Sequence, residues 1–380
     1  MRSRRSVALC FFVDALGWEM AQAHGCFREI APHAYRQRTV LGYSCAAQPT
    51  ILTGMMPSEH GHWGMFYRSE RSDLAPLRHL RLIPTPISTH RRFRRRLLHH
   101  HRRKYGFTGY YNFYRIPFGL FDRFDIVEKR DIFAPGAFEP GVSSIFDDAR
   151  QEGIPFRSWS WKTGLDRGLG ELTDDLKADE SDFYLFYTPH IDGFLHGKIG
   201  DPPAVARELA LIEEKIESVV EVAHESCGDV SVIIYSDHGM LKTTGTVDLM
   251  SRIDQLGLRS GRDYLAFYDS TMARFWFTDS RARTRIVACL GDVDGGRILT
   301  DQELKDEGTF FEDRRFGELV FLMDPGLLIL PSYMGAEAPA GMHGFTPEHP
   351  DSYAVLMSSR KLEAPPSHIR DTYRVMRSLL

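Results

Sequence analysis

The stretch Ser231-Val-Ile-Ile-Tyr-Ser-Asp-His-Gly-Met240 decides the fold. Its residues 232–235 are β-branched or aromatic, which predicts a buried strand of a parallel sheet. Asp237 and His238 follow this strand directly. Open α/β sheets bind ligands at the carboxyl ends of their strands, and carboxylate and imidazole groups are zinc ligands. Because two solvated polar residues at a strand end would look the same, the interpretation depends on the other predicted strand ends.

Length and composition indicate a soluble globular protein, with 380 residues of which 43% are hydrophobic and 26% charged. The formal net charge of −4 argues against a nucleic acid polymer as partner. Five scattered cysteines without a CxxC motif favour a reducing compartment, so a cytoplasmic location is expected. No apolar run has the length of a transmembrane segment. Residues 7–13 are apolar and follow a basic start, as in a secretory signal. Asp14 interrupts the apolar stretch directly after residue 13, so we interpret residues 7–13 as a first buried strand.

Two polar residues near the amino terminus are candidates for a site. Asp14 directly follows the first predicted strand, although it would serve equally well as a helix cap. Pro49 and Gly54 predict a short helix that starts just after Ser44, with Pro49 in its first turn. The positive end of the helix dipole would stabilise an oxyanion or activate the hydroxyl of Ser44. The alternative is that Ser44 only caps the helix.

Further candidates come from the second half of the chain. The predicted buried strand 182–187 runs into a segment with Asp192 and His196, whose spacing of four lets both bind one metal. An amphipathic helix after residues 202–203 leads to the strand at 232–235 and completes a βαβ unit. A loop near the carboxyl terminus then places His343 just before Gly344.

The remaining segments predict insertions in a single domain of residues 1–380. Residues 65–140 are irregular and are expected to form a cap, and the strand-rich residues 257–335 are expected to form a lid. Within the cap, residues 90–104 carry eight Arg or Lys and no acid. They would suit a polyanion, a membrane surface or an acidic partner, or form only a solvated face. The aromatic residues at 105–124 suit a substrate-pocket wall or the core of a small cap.

The candidates together have the composition of a two-metal centre. They are three Asp, three His and one Ser: Asp14, Ser44, Asp192, His196, Asp237, His238 and His343. This set suits two zinc sites with three protein ligands each and a bridging serine, and manganese would accept the same ligands. Paired ions stabilise the attacking and leaving oxygens of a displacement reaction.

The order of these motifs resembles the alkaline phosphatase superfamily, nearest to its nucleotide pyrophosphatase/phosphodiesterase branch. The motifs are Asp14, Ser44 ten residues before Gly54 in LTG-x-x-P-x-x-HG, Asp192-x-x-x-His196-Gly, Ser236-Asp237-His238-Gly239-Met240 and Gly341-Met-His343-Gly-Phe345. The resemblance implies an α/β fold with a mainly parallel central sheet flanked by helices. It also implies that one metal is bound by Asp14, Ser44, Asp237 and His238, and the other by Asp192, His196 and His343. Ser44 would be the nucleophile that forms a covalent phospho-enzyme.

The chain departs from the family pattern at two positions. The family often has an Asn about five residues after the signature His, and this chain has Met65 there. Tyr67, Arg68 and Asn112 are therefore candidates for binding the substrate phosphate. Leu195 replaces the Gly that usually precedes the second-motif His, and we expect this change to be tolerated because the ligands are kept.

The expected activity is hydrolysis of a small phosphodiester or nucleotide pyrophosphate. A sulfatase is set aside because Cys45 lies one residue out of register with C-x-P-S-R and the Ser-Arg pair is missing. A phosphomonoesterase, a phosphonate hydrolase or a phospho-transferring enzyme remains open on the same fold. An inactive metal-binding protein is the less favoured alternative.

Overall fold

The computed structural model describes residues 5–380, apart from the side chains of residues 85 and 86, and the basic residues 1–4 lie outside the described part. The strands, in chain order, are β1 (Ser6–Val13), β2 (His33–Gln37), β3 (Phe66–Arg68), β4 (Phe124–Ile126), β5 (Phe156–Trp159), β6 (Phe183–Thr188), β7 (Asp229–Tyr235), β8 (Leu241–Lys242), β9 (Gly245–Val247), β10 (Tyr264–Tyr268), β11 (Met272–Phe277), β12 (Gly296–Leu299), β13 (Leu319–Met323), β14 (Leu327–Ile329), β15 (Gly341–Met342) and β16 (Ala354–Ser358).

The helices are numbered in the same way. They are α1 (Trp18–His24), α2 (Ser44–Thr53), α3 (Pro57–His60), α4 (Thr85–Ser88), α5 (Arg91–Tyr105), α6 (Ile145–Glu152), α7 (Leu165–Ala178), α8 (His190–Lys198), α9 (Pro202–Ser226), α10 (Leu249–Asp254), α11 (Ser280–Gly291), α12 (Asp301–Asp306) and α13 (Asp371–Arg377). Short 3₁₀ helices cover Ala75–Leu82, Phe118–Leu120 and Pro350–Ser352. Within residues 5–380, no helix is both long and apolar enough to cross a bilayer.

The central sheet has the strand order β2-β16-β7-β1-β6-β5. The four strands β7, β1, β6 and β5 are parallel, as the buried apolar runs predict. β16 runs antiparallel to β7, and β2 runs antiparallel to β16. The predicted mainly parallel sheet is therefore confirmed, and its antiparallel edge is an addition that the sequence analysis did not predict.

Both faces of this sheet are covered, which explains why β1 has no polar face. Val7, Leu9 and Phe11 belong to one hydrophobic core, together with residues of α7 and α9. Ala8, Cys10 and Phe12 point the other way into a second core with residues of α2, α6 and α13. The predicted flanking helices are therefore present on both sides.

A second, antiparallel sheet with the order β10-β11-β13-β12 lies within residues 257–335. Met272 and Leu322 join the second core of the central sheet. Phe275 and Phe321 join a third core that also contains Phe66 and other apolar residues of the 65–140 segment. The two segments expected to be a cap and a lid thus share one core, while their boundaries as insertions stay a prediction.

The aromatic residues of the 65–140 segment are divided between two roles. Tyr111, Phe113 and Phe121 are buried in the third core, as expected for the core of a cap. Tyr110 is exposed and Tyr114 is half-buried. The latter two therefore keep exposed ring surface.

Two predicted elements are shorter in the structure. The sequence of residues 154–161 predicts a strand, and the structure forms it only over Phe156–Trp159. The sequence of residues 247–256 predicts a helix, and the structure forms it only over Leu249–Asp254, since Asp248 caps its amino terminus by accepting from the Ser251 N–H at 2.9 Å.

Candidate active site

Three neighbouring strands of the central sheet deliver carboxylates to one place. β1 lies between β6 and β7, and all three are parallel, so their carboxyl ends meet at one edge. Asp14 follows β1, Asp237 follows β7, and Asp192 lies in α8 just after β6. The site therefore occupies the edge at which open α/β sheets bind their ligands.

The first group of candidate ligands surrounds His238. Its Nε2 atom lies 3.0 Å from Ser44 Oγ, 3.2 Å from an Asp237 carboxylate oxygen and 3.5 Å from Asp14 Oδ1. Asp14, Asp237 and His238 are buried, while Ser44 is half-buried and can be reached from outside. The hydroxyl thus lies at the open side of a buried ligand cluster.

The second group surrounds Asp192, whose Oδ1 atom lies 3.3 Å from His196 Nε2 and 3.5 Å from His343 Nε2. The rings of His343 and His238 stack with centroids 3.8 Å apart, so the two groups are in contact. Ligand atoms of Asp14, Asp192 and His238 also lie within 4.8 Å of one another. The structure therefore brings all seven predicted site residues together, with Asp192 between the two groups.

The donor set fits divalent cations. One oxygen each of Asp14, Asp192 and Asp237 is buried and accepts no hydrogen bond from any described residue. Within residues 5–380, no Lys or Arg forms an ion pair with these three carboxylates. Buried carboxylate oxygens that lack both a donor and a paired Lys or Arg are costly, and two divalent cations would balance them.

The pKa values reflect this concentration of charge. Burial, followed by the fields of Asp237 and Asp192, raises the pKa of Asp14 well above its usual value. Burial also raises the pKa of Asp237 to about 7. Burial would raise the pKa of Asp192 too, but the adjacent His196 and the field of His343 lower it instead. Burial lowers the pKa of His343, which keeps its imidazole neutral as a metal ligand requires.

Backbone carbonyls orient two of the histidines. Nδ1 of His196 lies 2.8 Å from the Gly341 carbonyl oxygen, and Nδ1 of His238 lies 2.9 Å from that of Gly239. A proton on each Nδ1 leaves Nε2 as the free lone pair, and both Nε2 atoms face the carboxylates. The tautomers are therefore set for metal binding through Nε2.

Glycines let the ligand loops approach one another. A Cβ at Gly17 would lie 2.7 Å from Gly239 Cα, and a Cβ at Gly239 would lie 2.2 Å from the Asp351 carbonyl oxygen. Gly344, at φ +87°, would place a Cβ 2.7 Å from the Tyr43 ring. The glycines beside the ligands are thus required by close backbone packing.

Ser44 is the first residue of α2, and Tyr43 occupies the cap position. Ser44 therefore does not cap the helix, and its hydroxyl contacts His238 instead. Pro49 lies in the second turn of α2, where the sequence analysis placed it in the first. The neighbouring thiol of Cys45 is a poor nucleophile, because burial raises its pKa to about 12.

Sequence analysis missed a hydrogen-bond chain behind Asp14. The Tyr187 hydroxyl donates to Asp14 Oδ2 at 2.5 Å, and Gln48 Nε2 donates to the same hydroxyl at 2.9 Å. Tyr187 is the penultimate residue of β6, and Gln48 lies one turn after Ser44 in α2. The only signal in the sequence was a tyrosine at the end of a buried strand, which has no diagnostic value alone.

The three candidate substrate contacts have other partners. The Tyr67 hydroxyl lies 3.4 Å from an Asp125 oxygen, and Arg68 pairs with Glu318 on the surface. Asn112 accepts the Tyr114 N–H through Oδ1, and its own N–H lies 3.4 Å from Met65 Sδ. Of the three, only Asn112 thus lies against Met65, the residue at the position of the family Asn.

Tyr110 and Tyr114, on either side of Asn112, lie within the electrostatic field of Asp192. Burial raises the pKa of Tyr114 well above its usual value, and Tyr110, Cys45 and Asp192 raise it further. Tyr114 has a left-handed φ of +38°. A strained residue within the field of Asp192 points to a positioned side chain, so this loop is a candidate wall of the site.

Comparison with protein families matches residues 39–346 to the type I phosphodiesterase / nucleotide pyrophosphatase family. Among solved structures, murine ectonucleotide pyrophosphatase / phosphodiesterase 5 matches with a TM-score of 0.69 and 12% identity over 99% of this chain and 95% of that chain. An inactive form of the murine protein in complex with AMP matches with the same score and identity over 99% and 94%. The human protein matches with a TM-score of 0.69 and 13% identity over 99% and 94%. No curated protein sequence matches significantly.

Proposed function

Because the chain belongs to the type I phosphodiesterase / nucleotide pyrophosphatase family, a family of phosphoester hydrolases, we propose that it cleaves small phosphodiesters with Ser44 as nucleophile. The observation that carries this proposal is the accessible Ser44 hydroxyl at 3.0 Å from His238 within a cluster of buried carboxylates and histidines. A serine at the first position of a helix also benefits from the positive end of the helix dipole.

Two zinc ions are the proposed cofactors, with manganese as the alternative. Asp14, Ser44, Asp237 and His238 would hold one ion, and Asp192, His196 and His343 the other. When bound, the ions would lower the pKa of the Ser44 hydroxyl and neutralise charge on the phosphoryl oxygens. The three buried carboxylates and the absence of a paired Lys or Arg among the described residues support this metal requirement.

The proposed reaction is a double displacement. Ser44 Oγ attacks phosphorus, an Oγ–P bond forms, and the bond from phosphorus to the leaving-group oxygen breaks, with the serine proton passing to the leaving group. Water then attacks the same phosphorus, the Oγ–P bond breaks, and one proton of the water restores the serine hydroxyl. The hydrogen bonds of His196 and His238 to backbone carbonyls keep the ligand histidines in place through both steps.

A diester is favoured over a monoester on electrostatic grounds. A monoester carries an additional negative charge and would need a cation beside the metal ligands. Arg68, the candidate for that role, pairs with Glu318 on the surface instead. Nucleotide substrates are part of the proposal because a structure of similar fold holds AMP.

A substrate panel tests the proposal. The protein is assayed with bis-p-nitrophenyl phosphate, p-nitrophenyl phosphate and a p-nitrophenyl phosphonate monoester. Each assay is run with zinc, with manganese and after chelation. The proposal predicts metal-dependent turnover led by the bis-ester. Turnover led by the mono-ester would assign the protein to the phosphatases, and no turnover with any metal would indicate an inactive metal-binding protein.

A cytoplasmic location stays a proposal as well. Its support is that all five cysteines are free in the structure, and Cys10, Cys26 and Cys227 are buried. Measuring the enzyme in separated cell fractions tests it.

A further inference from the structure

The basic segment 90–104 forms α5, a helix with one strongly cationic face. Arg92, Arg95, Arg96, His99 and Arg103 are exposed, and their spacing of three and four places them on one side of the helix. The opposite side is buried through Arg94, Leu98 and His101. The cationic face is about 20 Å long, given the rise of an α-helix.

Within the described part of the chain, the exposed arginines of this face have no acidic partners. Among residues 5–380, no carboxylate forms an ion pair with Arg92, Arg95, Arg96 or Arg103. The buried Arg94, in contrast, donates to the Ser88 and Phe113 carbonyl oxygens. The chain concentrates eight basic residues and no acid in this helix although its formal net charge is −4. The face is therefore a local cationic surface on an acidic protein.

Two exposed apolar side chains lie in the segment that precedes α5 in the chain. Leu82 is 82% exposed and Ile87 is 53% exposed, the two largest exposures among the large hydrophobic residues that the structure describes. Ile87 is joined to the start of α5, since its carbonyl oxygen accepts the His90 N–H at 3.1 Å. Water is an unfavourable environment for such side chains, and a nucleic acid backbone would not bury them.

We propose that the cationic face of α5, together with Leu82 and Ile87, binds the surface of an anionic lipid bilayer. The arginines would contact the phosphate groups of the lipid heads, and the two apolar side chains would insert below them. Basic residues attract anionic leaflets, and exposed apolar side chains add the non-electrostatic part of the affinity. An anionic bilayer is favoured over a nucleic acid because it complements both the charge and the apolar residues.

The helix is also attached to the wall of the metal-ligand site. Arg102 donates to the Tyr111 carbonyl oxygen at 2.6 Å, and its guanidinium lies 5.3 Å from the Trp161 ring centre. The Trp161 ring in turn contacts the ring of Tyr110 edge-on at 5.2 Å. A bilayer bound to α5 would therefore lie close to the Tyr110 side of the site.

Vesicle binding by the full chain tests this inference. Sedimentation is measured with vesicles of phosphatidylcholine alone and with vesicles that contain phosphatidylglycerol. The test variant carries Arg92→Gln, Arg95→Gln, Arg96→Gln and Arg103→Gln. A matched control loses the same charge at exposed arginines elsewhere, through Arg252→Gln, Arg259→Gln, Arg281→Gln and Arg283→Gln. Turnover of a soluble p-nitrophenyl ester checks that each variant is folded.

The expected result is binding to the anionic vesicles only, reduced about 100- to 1000-fold in the test variant and much less in the control. Leu82→Ser with Ile87→Ser should weaken binding at unchanged charge. The inference is overturned if the wild-type chain ignores anionic vesicles or if the control loses as much as the test variant. Preferential binding of a DNA duplex, insensitive to Leu82→Ser and Ile87→Ser, would overturn it in favour of a nucleic acid site.

Discussion

Replacing Tyr187 with Phe is predicted to weaken metal binding without touching a metal ligand. The Tyr187 hydroxyl donates to Asp14 Oδ2 at 2.5 Å and accepts from Gln48 at 2.9 Å. Tyr187→Phe leaves the Asp14 oxygen without a donor in a buried site. Asp14 is then less well oriented and more readily protonated, because this hydrogen bond lowers its pKa against the effect of burial.

The magnitude follows from the type of hydrogen bond that is lost. A hydrogen bond to a charged group contributes about 1.5–3 kcal/mol, and groups that orient metal ligands change metal affinity by about 10- to 100-fold. Tyr187→Phe should therefore raise the zinc dissociation constant about 10- to 100-fold. Competition with a chromophoric chelator at neutral pH measures this constant.

Tyr235→Phe is the matched control. Tyr235 and Tyr187 both pair with Phe12 of β1, from the strands on either side of it, and both are buried in the same core. The Tyr235 hydroxyl lies 3.5 Å from Met376 Sδ and away from the carboxylates. Its removal should leave zinc affinity unchanged, and equal affinities of both variants would refute the proposed role of Tyr187.

Two further predictions concern stability. Burial raises the pKa of Glu128 from 4.5 to about 8. The unfolded chain therefore loses this proton at lower pH than the folded chain, and the free energy of unfolding decreases as the pH rises from 4.5 to about 8. Glu128→Gln should thus leave the free energy of unfolding unchanged below pH 4.5 and increase it by at most about 5 kcal/mol above pH 8, as measured by denaturant unfolding across pH. Gly239→Ala places a Cβ 2.2 Å from the Asp351 carbonyl oxygen. It should lower the free energy of unfolding by about 1–3 kcal/mol and weaken zinc binding. Gly170→Ala in α7, where a Cβ meets no atom within 4 Å, should change neither the free energy of unfolding nor the zinc affinity. If Gly239→Ala is tolerated equally well, the close approach of the ligand loops is contradicted.

The central sheet and the proximity of the candidate ligands could be predicted because the relevant patterns are local in the sequence. The apolar runs 7–13, 182–187 and 232–235 predict buried strands, and a candidate ligand follows each of them within five residues. The exact strand register is not needed for this prediction, since parallel neighbours bring their carboxyl ends to the same edge of the sheet. The antiparallel β16 was missed because a five-residue apolar stretch near the end of the chain does not reveal its direction or its neighbours.

The residues that support the ligands could not be predicted, since their roles depend on contacts between distant parts of the chain. Gln48 and Tyr187 are 139 positions apart, and only the packing of α2 against β6 brings them together. The contact of Asn112 with Met65 likewise depends on how the 65–140 segment folds over the site. Arg68 follows Tyr67 in sequence, but it points to Glu318 on the surface. Tyr67, Arg68 and Asn112 therefore stay predictions as substrate contacts.

The most direct test of the account is the turnover of bis-p-nitrophenyl phosphate by Ser44→Ala, compared with Cys45→Ala at matched zinc content. The thiol of Cys45 has no role in the proposed reaction, so Cys45→Ala should keep its activity. Ser44→Ala should still bind zinc through the remaining carboxylates and histidines and lose at least about 1000-fold in turnover. Full turnover by zinc-loaded Ser44→Ala would contradict the assignment of the nucleophile and, with it, the proposed double displacement.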